Sequence, residues 1–133
     1  MPRRRYIVKV DGSYHKNKES GIGMVVIDRY KGRYYYNIRT HCKDSFHCER
    51  LAIVYALYKL KELNINNDII ILSDNRDIVN EFASKYHSEI NNIAFGWIPR
   101  RQNTTAHHLA KNAAKGNIVR TFVPKQILQM IYK

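Results

Sequence analysis

Three acidic residues stand at positions where a folded chain could bring them together: Asp11, Glu49 and Asp74. Asp11 lies in Val10-Asp11-Gly12-Ser13, at the end of a run with strand character. Asp74 lies in Leu72-Ser73-Asp74-Asn75, at the end of a second such run. If those two runs are parallel neighbours, both carboxylates meet at the carboxyl ends of their strands, where open α/β sheets place their sites. Taken singly, each is also an ordinary turn aspartate, since Asp-Gly and Asp-Asn favour turns. Glu49 carries more weight. On a helix its same-face neighbours are Ala52, Ile53, Ala56, Leu60 and Leu63, so it stands on the apolar face that should meet a sheet. A buried carboxylate needs a partner or a metal; the plainer alternative is a first-turn glutamate that serves the helix dipole. Three carboxylates gathered from three segments repel one another unless a cation sits among them. An all-oxygen set of that kind suits Mg²⁺ or Mn²⁺.

Two other groupings invite chemistry. His41-Cys42 and His47-Cys48 offer four zinc-type ligands. Adjacent residues point apart, however, and the second pair begins a helix, so the expectation is a small core Cys48 and exposed histidines. Tyr34, Tyr35 and Tyr36 could stack on bases, but alternation along a strand sends at least one of them into the core.

The elements that must carry these residues can be read from pattern. Strands are expected over Tyr6–Asp11, Gly21–Ile27, Arg33–Arg39, Asp68–Leu72 and Ile93–Ile98. The second and third are joined by the short Tyr30-Lys31-Gly32 connection as a hairpin. The continuous apolar run at Asp68–Leu72 reads as a strand buried on both faces. Helices are expected over Phe46–Leu63, capped by Asp44 or Ser45, over Arg76–Lys85, and over Thr104–Lys115, capped by Asn103 and stopped by Gly116. A last helix should begin at Pro124, over about 124–132, since proline favours the first helical position. The order β-β-β-α-β-α-β-α plus a C-terminal helix predicts an α/β fold, a mixed five-stranded sheet with helices packed on its faces.

Length and composition agree. A chain of 133 residues with 44% apolar content fits one domain over 1–133, its core at about 6–115, and not a disordered protein. No apolar run approaches the roughly 20 residues that span a bilayer, and the basic N-terminus leads into too short an apolar stretch for a signal peptide. The expectation is a cytosolic monomer without a membrane partner. Cys42 and Cys48 make no disulfide framework. The 23 Lys and Arg against 11 Asp and Glu leave a formal charge of +12. Such an excess, spread along the chain with local density at Arg3–Arg5 and Arg100–Arg101, points to a folded basic surface for a polyanion such as a nucleic acid backbone.

Together these segments resemble type 1 ribonuclease H. The first three acidic motifs are the ones quoted above, with Glu49 in Cys48-Glu49-Arg50-Leu51-Ala52. Ile98-Pro99-Arg100-Arg101-Gln102-Asn103-Thr104-Thr105-Ala106-His107-His108-Leu109-Ala110 is similar to the fourth, where the family reads Asn-x-x-Ala-Asp-x-Leu-Ala. The resemblance implies a ribonuclease H-like fold and hydrolysis of the RNA strand of RNA–DNA hybrids with two divalent cations, Mg²⁺ or Mn²⁺. It implies that Asp11 bridges the metals while Glu49 and Asp74 each complete one coordination sphere, Glu49 also standing near the substrate 2′-hydroxyl. Gly12, Ser13, Arg100, Arg101 and Asn103 would meet the substrate, read by shape and 2′-hydroxyls. Two departures stand out. The stretch between Lys85 and Ile93 is too short for the basic insertion of some members, and the fourth acidic position holds His107. His107 has three readings: a metal ligand that suits Mn²⁺ better than Mg²⁺, a proton shuttle, or the mark of a site that has lost a metal and its activity. His108 should face solvent. The rival functions are a catalytically weak or inactive nucleic-acid-binding module of this fold and a basic structural protein of a ribonucleoprotein.

Overall fold

Alternating apolar residues in Tyr6-Ile7-Val8-Lys9-Val10 make the first strand. β1 spans Arg5–Ser13 and buries Tyr6, Val8 and Val10 on one face. The computed structural model describes residues 5–28, 32–65, 68–86 and 93–119; the helix expected from Pro124, the segment 87–92 and Arg3–Arg4 lie outside them. β2 (Ser20–Asp28) and β3 (Gly32–Thr40) pair antiparallel, in register from Ser20–Thr40 to Asp28–Gly32. β4 (Asp68–Ser73) and β5 (Ile93–Trp97) continue the sheet in parallel, giving the order β3-β2-β1-β4-β5. This is the expected mixed five-stranded sheet, with β1 at its centre.

The expected limit of β1 needs correction. Asp11 does not end the strand but lies inside it, opposite Gly23 on β2. The parallel ladder to β4 closes earlier, at Lys9–Leu72. Two residues on from that pair are Asp11 and Asp74, so the register itself aligns the two aspartates. A second correction concerns β4, which alternates rather than being buried on both faces: Ile69, Ile71 and Ser73 are buried while Ile70 and Leu72 are half covered. On that half-covered face Ile70 and Leu72 lean over Gly96 of β5.

Helix α1 (Ser45–Glu62) is capped by Asp44, whose Oδ1 accepts from the His47 N–H at 2.7 Å. It turns Cys48, Glu49, Ala52, Ile53, Ala56 and Leu60 inward. Together with Ile78 and Phe82 of α2 (Arg76–Lys85), its Ala52, Ile53, Ala56 and Leu60 cover one face of the sheet in the main core. Helix α3 (Thr104–Ala114) lies across β1, β2 and β3 on the other face, where Val25 packs with Ala106 and Leu109. No helix among the described residues is long and apolar enough to cross a membrane.

The seat of α3 is set by small residues. A Cβ on Gly23 would lie 2.2 Å from the Ala106 carbonyl oxygen, and one on Gly21 would lie 2.0 Å from that of Ala110. The Asn37 amide on β3 fastens the far end, donating to the Leu109 and Asn117 carbonyls at 2.9 and 3.0 Å. Lys115 ends the helix and Gly116 follows with φ +90, as the sequence pattern predicts. Asn103 occupies the cap position of α3 yet makes no side-chain cap bond; its amide turns inward instead, donating to the Val10 carbonyl at 2.8 Å. Gly23→Ala should therefore lower stability by about 1–3 kcal/mol or more, because the helix must lift off the sheet to admit the methyl. Guanidinium unfolding of the two proteins tests this, and an unchanged midpoint would contradict so close a contact.

A candidate metal-dependent active site

Each acidic side chain reaches the site by a different device. Asp11 is carried by the central strand and is 4% exposed. Asp74 sits just past β4, on a tight turn in which the Ser73 hydroxyl accepts the Asn75 N–H at 3.1 Å, and the Asn75 side chain then caps α2 through the Ile78 N–H. Glu49 projects from the inward face of α1. Its Oε1 accepts the Gly12 N–H at 2.9 Å. That bond requires glycine at position 12, where a Cβ would stand 2.7 Å from the Cys48 carbonyl oxygen. One carboxylate oxygen from each of Asp11, Glu49 and Asp74 lies within 4.8 Å of the others. They open into a cleft of about 340 Å³ rimmed also by Ser45, Arg76 and Arg100.

The electrostatics are those of an unsatisfied cluster. Glu49 Oε2 is buried without a hydrogen-bond donor among the described residues. The Asp11 carboxylate is within hydrogen-bond reach of the Glu49 carboxyl, but two carboxylates can bond only by sharing a proton. Burial first, and then Asp11, push the Glu49 carboxyl up to about 9, although the Gly12 N–H works the other way. Asp74 is also raised, by burial and then by Asp11, while the Asn103 hydrogen bond, Arg100 and His107 pull it back. Three hard oxygen donors around a common gap, one of them buried and unpartnered, fit a divalent cation such as Mg²⁺ or Mn²⁺.

His107 reaches this cluster from the first turn of α3. Its Nδ1 lies 2.9 Å from Asp11 Oδ2, so it joins the site as a partner of Asp11 rather than as one more carboxylate-like arm. Among the described residues its Nε2 makes no hydrogen bond.

The remaining expected site residues divide. Gly12 and Arg100 line the cleft. Ser13 is buried next to it, its Oγ 3.0 Å from His15 Nε2. Arg101 is exposed and stands outside the cleft lining. Asn103, grouped by sequence with the substrate contacts, is 1% exposed and lies behind the carboxylates, bonded to Val10 and close enough to Asp74 to steady its charged form. Among the described residues the zinc alternative does not assemble: His41 is exposed beside Glu19, His47 Nδ1 accepts the Lys43 N–H, and no third metal-type ligand joins the neighbouring Cys42 and buried Cys48. Tyr34 and Tyr36 enter the core and Tyr35 faces out, as alternation predicts. Sequence reading missed Ser45, Asn75, Arg76 and Trp97. Ser45 lies one helical turn before Glu49, and Asn75 and Arg76 directly follow Asp74, so their signal was proximity; Trp97 gave none, since only strand pairing sets it opposite Ser73.

Comparison with known proteins bears out the family resemblance. Residues 9–113 match the family model described as reverse transcriptase-like. No curated protein sequence matches the chain. Among solved structures, LC11 RNase H1 in complex with an RNA/DNA hybrid is similar at 19% identity and a TM-score of 0.71, covering 84% of this chain and 97% of that one. RNase H1 from the halophilic archaeon Halobacterium salinarum is similar at 16% identity and a TM-score of 0.72, covering 84% and 98%. The foamy viral protease-reverse transcriptase in complex with double-stranded DNA is similar at 14% identity and a TM-score of 0.63, covering 85% and 94%. At these identities the likeness is one of fold, and that fold is ribonuclease H-like.

The raised Glu49 carboxyl has a consequence for stability. The folded state holds the Glu49 proton more tightly than the unfolded chain does, so the associated stability is complete below the ordinary value of 4.5 and is lost as pH rises through about 9. In metal-free protein, the melting temperature of the wild type should fall relative to that of Glu49→Gln between those limits. Parallel melting curves across the pH series would contradict the buried, proton-sharing pair.

Proposed function

The chain belongs to the reverse transcriptase-like family, and from that membership we propose that it is an endonuclease that hydrolyses the RNA strand of RNA–DNA hybrids, with divalent cations held by Asp11, Glu49 and Asp74. The observation that carries this reading is the convergence of these carboxylates from three separate elements, with Glu49 Oε2 buried and unpaired beside Asp11. The complex of the similar LC11 RNase H1 with an RNA/DNA hybrid supports the substrate class. When bound, the cations would supply an activated water and stabilise the leaving 3′ oxygen.

The chain's own groups do the rest. Gly12 holds Glu49 in place through its N–H, and Asn103 fastens β1 at Val10, next to Asp11, from behind, so the carboxylates are positioned before substrate arrives. Arg100 stands at the rim, where a scissile phosphate would meet its guanidinium. Lys9 Nζ donates to the Gln102 carbonyl at 3.1 Å and ties the Arg100–Gln102 turn to β1. Arg101 engages phosphates farther along the strand. His107, held by Asp11 through Nδ1, offers Nε2 as a proton carrier for the departing product. Bound to a cation through Nε2, the same imidazole would instead favour Mn²⁺ over Mg²⁺, because Mn²⁺ accepts a nitrogen ligand more readily.

Asp11→Asn, Glu49→Gln and Asp74→Asn should each lower cleavage of a labelled hybrid by roughly 100-fold or more while leaving hybrid binding intact. Turnover like that of the wild type in any of them would remove it from the site. Binding without cleavage by the wild type itself would favour the second reading, a catalytically silent hybrid-binding module, to which His107 in an acidic position gives some support.

His107→Ala should lose about 100-fold in turnover if the imidazole carries a proton. His107→Asp should raise activity with Mg²⁺ relative to Mn²⁺. Cleavage assays of both variants in each metal test the pair, and identical metal preferences in all three proteins would make His107 a bystander.

A further inference from the structure

Arg76 borders the carboxylate cleft and Trp97 stands behind it at the end of β5. The two are assembled as a unit. The Trp97 Nε1–H donates to the Asp74 carbonyl at 3.1 Å, which satisfies the indole's polar group and fixes the plane of the ring. The Arg76 guanidinium lies 4.3 Å from the ring centroid. Trp97 nevertheless remains 43% exposed, a large apolar surface beside Arg76, which itself borders the polar cleft. Among the described residues no carboxylate pairs with Arg76, which is itself exposed.

A guanidinium stacked on an aromatic ring keeps its N–H fork in one plane with the donors directed outward, the geometry that meets a phosphate with two parallel bonds. The open indole surface beside it suits an apolar, compact group attached to that phosphate. In a duplex the base faces are covered by their own stacking, so the sugar presents that surface. We propose that Arg76 and Trp97 form a substrate subsite that seats one phosphate, on Arg76, and its attached sugar, on Trp97, of a nucleic-acid strand bound across the carboxylate cleft. This rests on the nucleic-acid reading of the site. The subsite acts in binding and register, not in the chemical step. The Trp97 bond to the Asp74 carbonyl links the two, so the phosphate seated on Arg76 is held at a constant offset from the acidic cluster.

Trp97 is the single tryptophan of the chain, so its emission reports on this position alone. The experiment titrates full-length protein with a dye-labelled RNA–DNA hybrid in metal-free buffer, following hybrid anisotropy and tryptophan emission together. Both signals should saturate at the same hybrid concentration. Arg76→Gln should weaken binding and reduce the log–log salt slope by about 1, the loss of one phosphate contact. Trp97→Phe, which keeps a stacking face but not the N–H, should bind within about threefold of wild type, whereas Trp97→Leu should bind about tenfold more weakly. A purely structural Trp97 would leave emission and salt slope unmoved. If anisotropy shows hybrid binding while emission stays constant and Arg76→Gln keeps the wild-type slope, the subsite is overturned and the nucleic-acid reading stands. If the wild type binds no hybrid, both are overturned. Should Trp97→Leu fail to fold, the emission titration and the Arg76→Gln slope still decide.

Discussion

Burying Glu49 beside Asp11 places two like charges where water cannot separate them, and much of the domain is arranged around that placement. Glu49 projects from the inward face of α1, among Cys48, Ala52 and Ile53, and one oxygen is already committed to the Gly12 N–H. Asp11 cannot retreat, because it lies within the central strand, paired to Gly23 on β2. Burial and the neighbouring Asp11 raise the Glu49 carboxyl, so without a cation the folded state holds its proton more tightly than the unfolded chain does. The same packing that weakens the metal-free fold shapes a gap for a hard divalent ion. Stability is given up at the place where chemistry is wanted.

The surrounding elements hold that arrangement still. The α3 helix rests on Gly21 and Gly23 so closely that a methyl at either would collide with its backbone. That contact brings His107 to Asp11 and sets Asn103 behind Val10 and Asp74. Arg100 and Arg76 occupy the rim, offering positive charge to a polyanion without entering the cluster. The net charge of +12 works at longer range, raising encounter with a phosphate backbone.

Much of this was legible in the residues. Period-two alternation at Tyr6–Val10 and the apolar face shared by Glu49, Ala52 and Ile53 were enough to predict the central strand and the inward glutamate, because both follow from local geometry. What local pattern could not supply was pairing. The extension of β1 past Asp11 depends on its antiparallel partner β2, and the half-covered face of β4 depends on where α3 comes to rest. Asn103 looked like a helix cap because asparagine favours that position; burial gave its amide a better use across 93 residues of sequence. Trp97 was invisible as a site residue for the same reason, since its neighbour Asp74 is brought to it by the β4–β5 ladder.

The central claim is that Glu49, its carboxyl raised by burial and by Asp11, gives up a proton when a divalent cation binds the carboxylate cluster. Calorimetric titration of Mn²⁺ into the full chain at pH 7, in two buffers of different ionisation enthalpy, measures both binding and proton release. With the Glu49 carboxyl pushed up to about 9, the account predicts saturable binding with release of about one proton, and loss of that proton in Glu49→Gln. Binding with no proton released, or no binding at all, would contradict it.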